Sequence, residues 1–431
     1  MKQLIESSKS SDKILRIEQR IPNVDLIKWL QQQTNPVKIY WSERDEKFEV
    51  AGIGYADFII SHKEVDFYTT FKRMRRALNP EFKNLRYYGG FCFSNAKQDT
   101  LWQDFGTCRF IIPQVELLHE NNEIRIALNF KSSQTEDFPF NFFDNNKLHT
   151  NLDIFENKVQ TRTDYPEKNG WIQKINFTKK LFQEEKIEKI VLARKAELKF
   201  SQKLIPEHLL MQLKKASPKS FHFYFQPAED VAFLGASPEL LYRRENFNIF
   251  SEAVAGTLPR GNTEEEDINL ERNLLNSNKD IYEHDLVCQV IEKGMKQICN
   301  SWEMDRKVNI LKSNNVQHLY KKFWGLLKEQ IDDPDIISVL HPTPAVGGSP
   351  KEMAFQEIGK IETFDRGWYS APVGWVGPNS AEFAVGIRSG LMKGNELHLF
   401  AGAGIVPDSD PEQEWNEIEQ KISPFMKLFQ G

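Results

Sequence analysis

Hydrophobic positions along this chain recur with two periods. In the second half, "IEKIVLARKAELKF", "FHFYFQ", "VAFLGAS" and "LLYRRENFNIF" are short runs rich in aromatic and β-branched residues, bounded by turn formers, and predict strands. "PEHLLMQLKKA" predicts a helix, as does the longer "SNKDIYEHDLVCQVIEKGMKQICNSW", with Leu286, Val290, Ile291 and Met295 on one side. "FAVGIRSGLMKGNELHLFAGAGI" predicts a hairpin of core strands with Arg388 inside it. A last helix is expected to open at "SDPE", where Ser409 caps, Pro411 suits the first turn and Glu412 completes a capping box. Earlier, "PVKIYWS", "YYGGFCF" and "IRIALNF" predict strands, and "SSQTEDFPFNFFDNNKLHTN" predicts a loop. A soft boundary falls there, between a divergent N-terminal part (1–150) and the region 151–431, with one intertwined domain expected overall. Strands outnumber βαβ repeats, so the expected fold is α+β: large packed antiparallel sheets in two layers with helices outside.

Composition narrows the function. The 431 residues are 40% hydrophobic and 27% charged, with net charge −5 and no long basic run. Nucleic-acid binding is not expected, because neutralising phosphates needs a clustered positive surface. The four cysteines (Cys92, Cys108, Cys288, Cys299) form no CxxC pair and no metal-ligand spacing, which suits reduced thiols in a cytoplasmic protein. The polar start "MKQLIESSKSSDKILRIEQR" lacks the apolar core of a signal peptide, and no apolar run approaches a bilayer span. A cytoplasmic protein, without membrane partners, is the expectation.

Candidate chemistry begins with Lys189, an ammonium at the mouth of the apolar run Ile190–Leu192. It is either an edge charge that snorkels to water or an amine held in a cavity for use. Arg194 and Lys195, at the other end, read as ordinary charges. On the last helix Glu414, Glu417 and Lys421 share a face, and on the long helix Asp280 and Glu283 are three apart. Taken alone, each set is a solvated face. Together, two carboxylate pairs on two helices have the donor chemistry for Mg²⁺. "AGAGI" supplies a nearly side-chain-free approach around Gly404, and "EAVAGTLPRG" and "HPTPAVGGSP" are Gly- and Pro-dense loops of the kind that carry sites. Glu239 follows a Ser-Pro turn in "GASPELLY". Arg388 in a core strand needs a partner, either an internal carboxylate or one on a substrate.

The segments "KIVLAR", "GASPELL", "AVAGTLPRG", "KDIYEH", "HPTPAVGGSP", "FDRGWYSAPVGW", "EFAVGIRSG" and "AGAGIVPDSDPEQEWNEIEQK", in this order, resemble the chorismate-utilising enzymes and, within them, the isochorismate synthases. The resemblance covers roughly residues 185 to 425 and is loose over the first 150. It implies a Mg²⁺-dependent isomerase that adds water at C2 of chorismate while the C4 hydroxyl leaves, for menaquinone or catechol siderophore synthesis. Lys189 would be the base and Glu239 the acid; Glu283 and Glu417 would hold Mg²⁺, with Asp280 and Glu414 in support. Arg388, Tyr369, Lys421 and the backbone at Gly404 would bind the two carboxylates, and Gly256, Thr257, Ala345 and Val346 would line the ring pocket.

The neighbouring classes bear on that reading. Salicylate synthases share these residues and then eliminate pyruvate. Anthranilate and aminodeoxychorismate synthases use ammonia, usually lack the strand-mouth lysine and typically take a glutaminase partner, which is not expected here. Their tryptophan site pairs an "LLES" element with "PSPYM"; this chain has "LIES" at residues 4–7 but "KSFHFYF" where the second belongs. Two departures from the family pattern stand out: "GPNSAEF" before the arginine strand, and Ile418 where threonine is common. A monomer is expected, and a non-catalytic chorismate-binding protein is the reading least favoured, because every catalytic role has a residue to fill it.

Overall fold

Two antiparallel sheets face each other across a core of aromatic rings that meet mostly edge-on or tilted. The computed structural model describes residues 13–94, 100–131, 157–183, 187–313 and 316–429, so the predicted loop at 132–151 and the "LIES" segment lie outside them. Among the described residues the first sheet has twelve strands and the second ten. All pairings are antiparallel. The strand Lys38–Ser42 lies beside Phe221–Ala228 in the first sheet, and Tyr87–Phe91 lies beside Pro372–Val376 in the second. The first 131 residues and the later chain therefore share both sheets.

Three apolar clusters follow from the alternation of side chains across each sheet. The inner one joins both layers, with Trp41, Phe223, Phe233 and Phe400 from the first and Tyr88, Val373 and Trp375 from the second. Trp368 sits among Phe105, Phe225 and Phe233, with ring centroids at 5.1, 5.7 and 6.3 Å. Each such ring contributes about 1.5–3 kcal/mol by leaving water. The outer faces are covered by helices: Lys351–Ile361 and Pro411–Lys427 pack on the first sheet, Asn278–Ile298 and Asp333–Leu340 on the second. The strand Lys189–Phe200 is buried at each of its first six residues because both of its faces are covered. No described helix is long and apolar enough to cross a membrane.

The structure corrects the sequence reading at four points. The long helix ends at Ile298, and "CNSW" opens the edge strand Cys299–Met304. On that helix Val287 and Cys288 are buried, whereas Val290 is only half-buried. The last helix is capped by Asp410, which accepts the Gln413 N–H at 2.9 Å; Ser409 instead accepts the Val406 N–H at 3.1 Å. Proline at the first position fixed the helix start one residue later than the serine suggested. "FAVGIRSG" is not one strand: Ser380–Val385 belongs to the second sheet and Ser389–Lys393 to the first. Arg388 lies in the crossing, at φ +51°, a left-handed conformation rare for arginine.

Candidate active site

That crossing is half of what builds the site. The chain passes between sheets a second time at Pro238–Glu239, from Val231–Ser237 to Leu240–Glu245. The two crossings lie side by side: the Ala236 N–H donates to the Arg388 carbonyl (3.1 Å) and the Val385 N–H to the Glu239 carbonyl (3.1 Å). A pair of chain switches between layers leaves backbone irregular and opens a cleft of ≈ 860 Å³, partly open to solvent. Its walls include Glu239 and Arg388 from the crossings, Gly256 and Thr257 from one strand, and Ala345 and Val346 from the "HPTPAVGG" loop. Tyr369, Gly404, Asp280, Glu283, Glu417 and Lys421, all from the predicted set, also line it.

Two predicted residues stand behind the wall. Lys189 is fully buried, and its Nζ donates to Glu283 Oε1 at 2.5 Å. Glu414 lies on the buried stripe of the last helix with Ile418 and Ile422. Gly404 explains the approach of the first pair: a Cβ there would sit 2.7 Å from Lys189 Cε and collide with Glu283 Oε1. The bland reading of Lys189 as a snorkelling edge charge is therefore wrong. Arg194, by contrast, reads in the sequence as an ordinary charge but is buried, pairing with Asp164 and Glu419 outside the cleft lining.

Glu239 is buried 4% exposed, and burial pushes its carboxyl up to about 7, against the pull of Lys189 and of a long contact from Thr343 Oγ1 (3.5 Å). An acid in that range keeps its proton on about half of the molecules near neutrality, where an ordinary carboxyl keeps almost none. Arg388 donates to the Lys421 carbonyl at 3.4 Å and forms no ion pair within 4 Å among the described residues. A guanidinium without a carboxylate, facing a cleft, is set for an anionic ligand. Lys421 donates to the Gly402 carbonyl (2.8 Å) and Glu417 Oε1 (2.6 Å). The Tyr369 ring stacks on Phe400 at 5.4 Å.

The four acids come from two helices. Each glutamate is held by a lysine: Glu283 by Lys189, Glu417 by Lys421, and Glu414 by Lys279 at 2.8 Å, while Asp280 accepts from Ser277 Oγ at 2.5 Å. Burial and then Glu417 push Glu414 up, and its Oε2 has no hydrogen-bond partner among the described residues. Burial raises Asp280 too, with Glu283 adding repulsion. Burial alone would raise Glu417, but Lys421, Lys279 and Arg388 outweigh it and hold its carboxyl below the usual range. Among the described residues no three ligating side chains converge on one point with these lysines in place. An all-oxygen set with mutual repulsion and an orphaned buried oxygen nevertheless fits a hard divalent cation.

Sequence reasoning missed Lys279 and His318, which also line the cleft. His318 shares its Nδ1 with Thr257 Oγ1 (2.9 Å) and the Gly256 carbonyl (3.3 Å) at a bulge in the strand, and its Nε2 has no hydrogen-bond partner among the described residues. Burial, then Arg388, pulls its pKa to about 3, so the ring is neutral. A histidine inside the apolar run "VQHLYKKF" was the available signal.

With fold and cleft in view, the comparisons follow. A chorismate binding enzyme family model matches residues 1–430, and the chain belongs to that family. It is 33% identical over 395 residues to isochorismate synthase 2 of Arabidopsis thaliana, covering 88% of this chain and 70% of that one. It is 31% identical over 415 residues to isochorismate synthase MenF of Bacillus subtilis, covering 91% and 88%. The solved structure of the menaquinone-specific isochorismate synthase MenF from Escherichia coli superposes with TM-score 0.85 at 27% identity, over 99% of this chain and 98% of that one.

Proposed function

We propose that the protein is an isochorismate synthase, converting chorismate to isochorismate with Mg²⁺. One observation carries the reading: a single cleft gathers a buried carboxyl raised to about 7, three acids from two helices and an arginine with no ion pair among the described residues, and a buried lysine meets one of those acids from behind the wall. Glu239 donates its proton to the C4 hydroxyl as that group leaves. Lys189, as the neutral amine, accepts a proton from the water that bonds to C2 and becomes the ammonium. One water enters and the elements of one water depart, so no redox partner is needed. Glu283 and Glu417 would hold the metal, with Asp280 and Glu414 in support; when bound, Mg²⁺ neutralises the ring carboxylate. Arg388, Tyr369 and Lys421 bind the second carboxylate, and the Gly256–Thr257 and Ala345–Val346 edges enclose the ring. Water as the nucleophile makes a glutaminase subunit unnecessary, and the same reading takes the enzyme as a cytoplasmic monomer.

Two expected results follow from the cleft. Arg388→Lys keeps the charge but loses the planar fork, so KM for chorismate should rise about tenfold or more with kcat changed less; steady-state kinetics checks this. Glu417→Gln should weaken Mg²⁺ binding about 10- to 100-fold by calorimetric titration, and Glu414→Gln by less. Unaltered titrations would remove these acids from the metal. A lactate dehydrogenase-coupled assay for pyruvate separates this reading from salicylate synthase, for which the steps up to isochorismate are the same. Ammonia-dependent aminated product would instead indicate the amine-using classes.

A further inference from the structure

Behind the cleft, a second ion pair lies outside the lining itself and joins two of its walls. Glu362 ends the helix Lys351–Ile361, and Arg366 lies four residues on; their side chains are 4% and 2% exposed. The guanidinium donates twice to Glu362, from Nε (2.8 Å) and Nη2 (2.5 Å). It also donates from Nη2 to the Val191 carbonyl (2.8 Å) and from Nη1 to the Val346 carbonyl (2.9 Å). Glu362 Oε1 in turn accepts the Ala193 N–H at 2.7 Å. The Phe93 ring covers the guanidinium at 4.3 Å.

Val191 is two residues past Lys189, and Val346 is three past Thr343, whose hydroxyl reaches Glu239. Both valines line the cleft. One planar group thus fixes the strand that carries the lysine against the loop that borders the glutamate. The sheet ladder reinforces this, since Lys189 and Ile190 pair with Ser349 and Gly348.

We infer that Glu362–Arg366 is a positioning pair, which sets the separation of Lys189 from Glu239 by clamping both cleft walls from behind. The inference rests on the proposed reaction. Misplacing reacting groups by about 1 Å costs on the order of 10²-fold in rate, so a pair that holds this spacing is felt in turnover before it is felt in binding. Lysine at 366 retains the charge, but its compact ammonium cannot span the carboxylate and both carbonyls.

The experiment compares wild type, Arg366→Lys, Glu362→Gln and Arg16→Lys. Arg16 is an equally buried arginine, paired with Glu116 on strands remote from the cleft, and serves as a control for lost stability alone. For Arg366→Lys, kcat should fall at least tenfold with KM within threefold, measured well below a still cooperative melting transition. Glu362→Gln should show the same split with a smaller drop. Arg16→Lys should lower the melting temperature and leave kcat within twofold. If Arg366→Lys turns over like wild type, or if Arg16→Lys loses kcat to the same degree, the positioning role is wrong. Should Arg366→Lys fail to fold, Glu362→Gln decides by the same split, its ion pair replaced by a neutral group of the same shape. Wild type that leaves chorismate untouched would instead defeat the reaction assigned to the cleft.

Discussion

Lys189→Ala is expected to abolish isochorismate formation, with a loss at or beyond the roughly 10²–10⁴-fold typical of a general base. The side chain is fully buried, and Glu283 meets it at 2.5 Å. Truncation leaves the half-buried Glu283 without its partner, and some stability is lost with the ion pair. The strand itself should hold, because Ile190 to Lys199 pair along their length with the strand ending at Ile405. Circular dichroism should therefore report a folded protein, and chorismate should still bind through Arg388 and Lys421. A folded variant with wild-type kcat would remove Lys189 from the chemistry.

Glu239→Gln should be impaired to a similar degree, with substrate binding largely retained. Its pH dependence is the more specific test. Burial lifts the folded carboxyl to about 7, from about 4.3 in an unfolded chain. The protonated acid is present below about 7, so kcat of the wild type should fall as pH rises through that value. The glutamine variant should lack this limb. Linkage gives a matching sign for stability: wild type loses stability as pH rises towards about 7, because the folded state must then carry a buried charge. Glutamine has no charge to carry, so the variant should gain relative to wild type at alkaline pH in melting experiments. A descending limb that persists unchanged in Glu239→Gln would assign it to another group.

Much of this was legible in the sequence because the signals were local. Alternation in "KIVLAR" and "FHFYFQ" gave strands, the i, i+3 and i+4 spacing gave the two acid-bearing helices, and Gly-Pro loops marked the cleft edges. The joint order of the motifs pointed to Glu239, Arg388 and the four acids; the cleft brings Glu239, Arg388, Asp280, Glu283 and Glu417 together, and Glu414 lies behind its wall. What was not legible depends on tertiary placement. Arg388 read as a strand residue because "FAVGIRSG" alternates, and nothing local marks the switch between sheets. Arg194 and Lys189 flank the same apolar run, yet one serves the core and the other faces the acids. Lys279 and His318 acquire their places only when a helix and a strand from the second sheet close on the same space. The Glu362–Arg366 pair has no spacing signature beyond i, i+4, and the guanidinium's backbone partners both lie earlier in the chain, 175 and 20 residues away.

The central claim is that this cleft adds water to chorismate and releases isochorismate. Purified protein should be incubated with chorismate and Mg²⁺ at neutral pH and the products resolved by chromatography. The account predicts isochorismate in equilibrium with chorismate, with neither salicylate nor pyruvate. Chorismate recovered untouched, or salicylate formed with equimolar pyruvate, would contradict it.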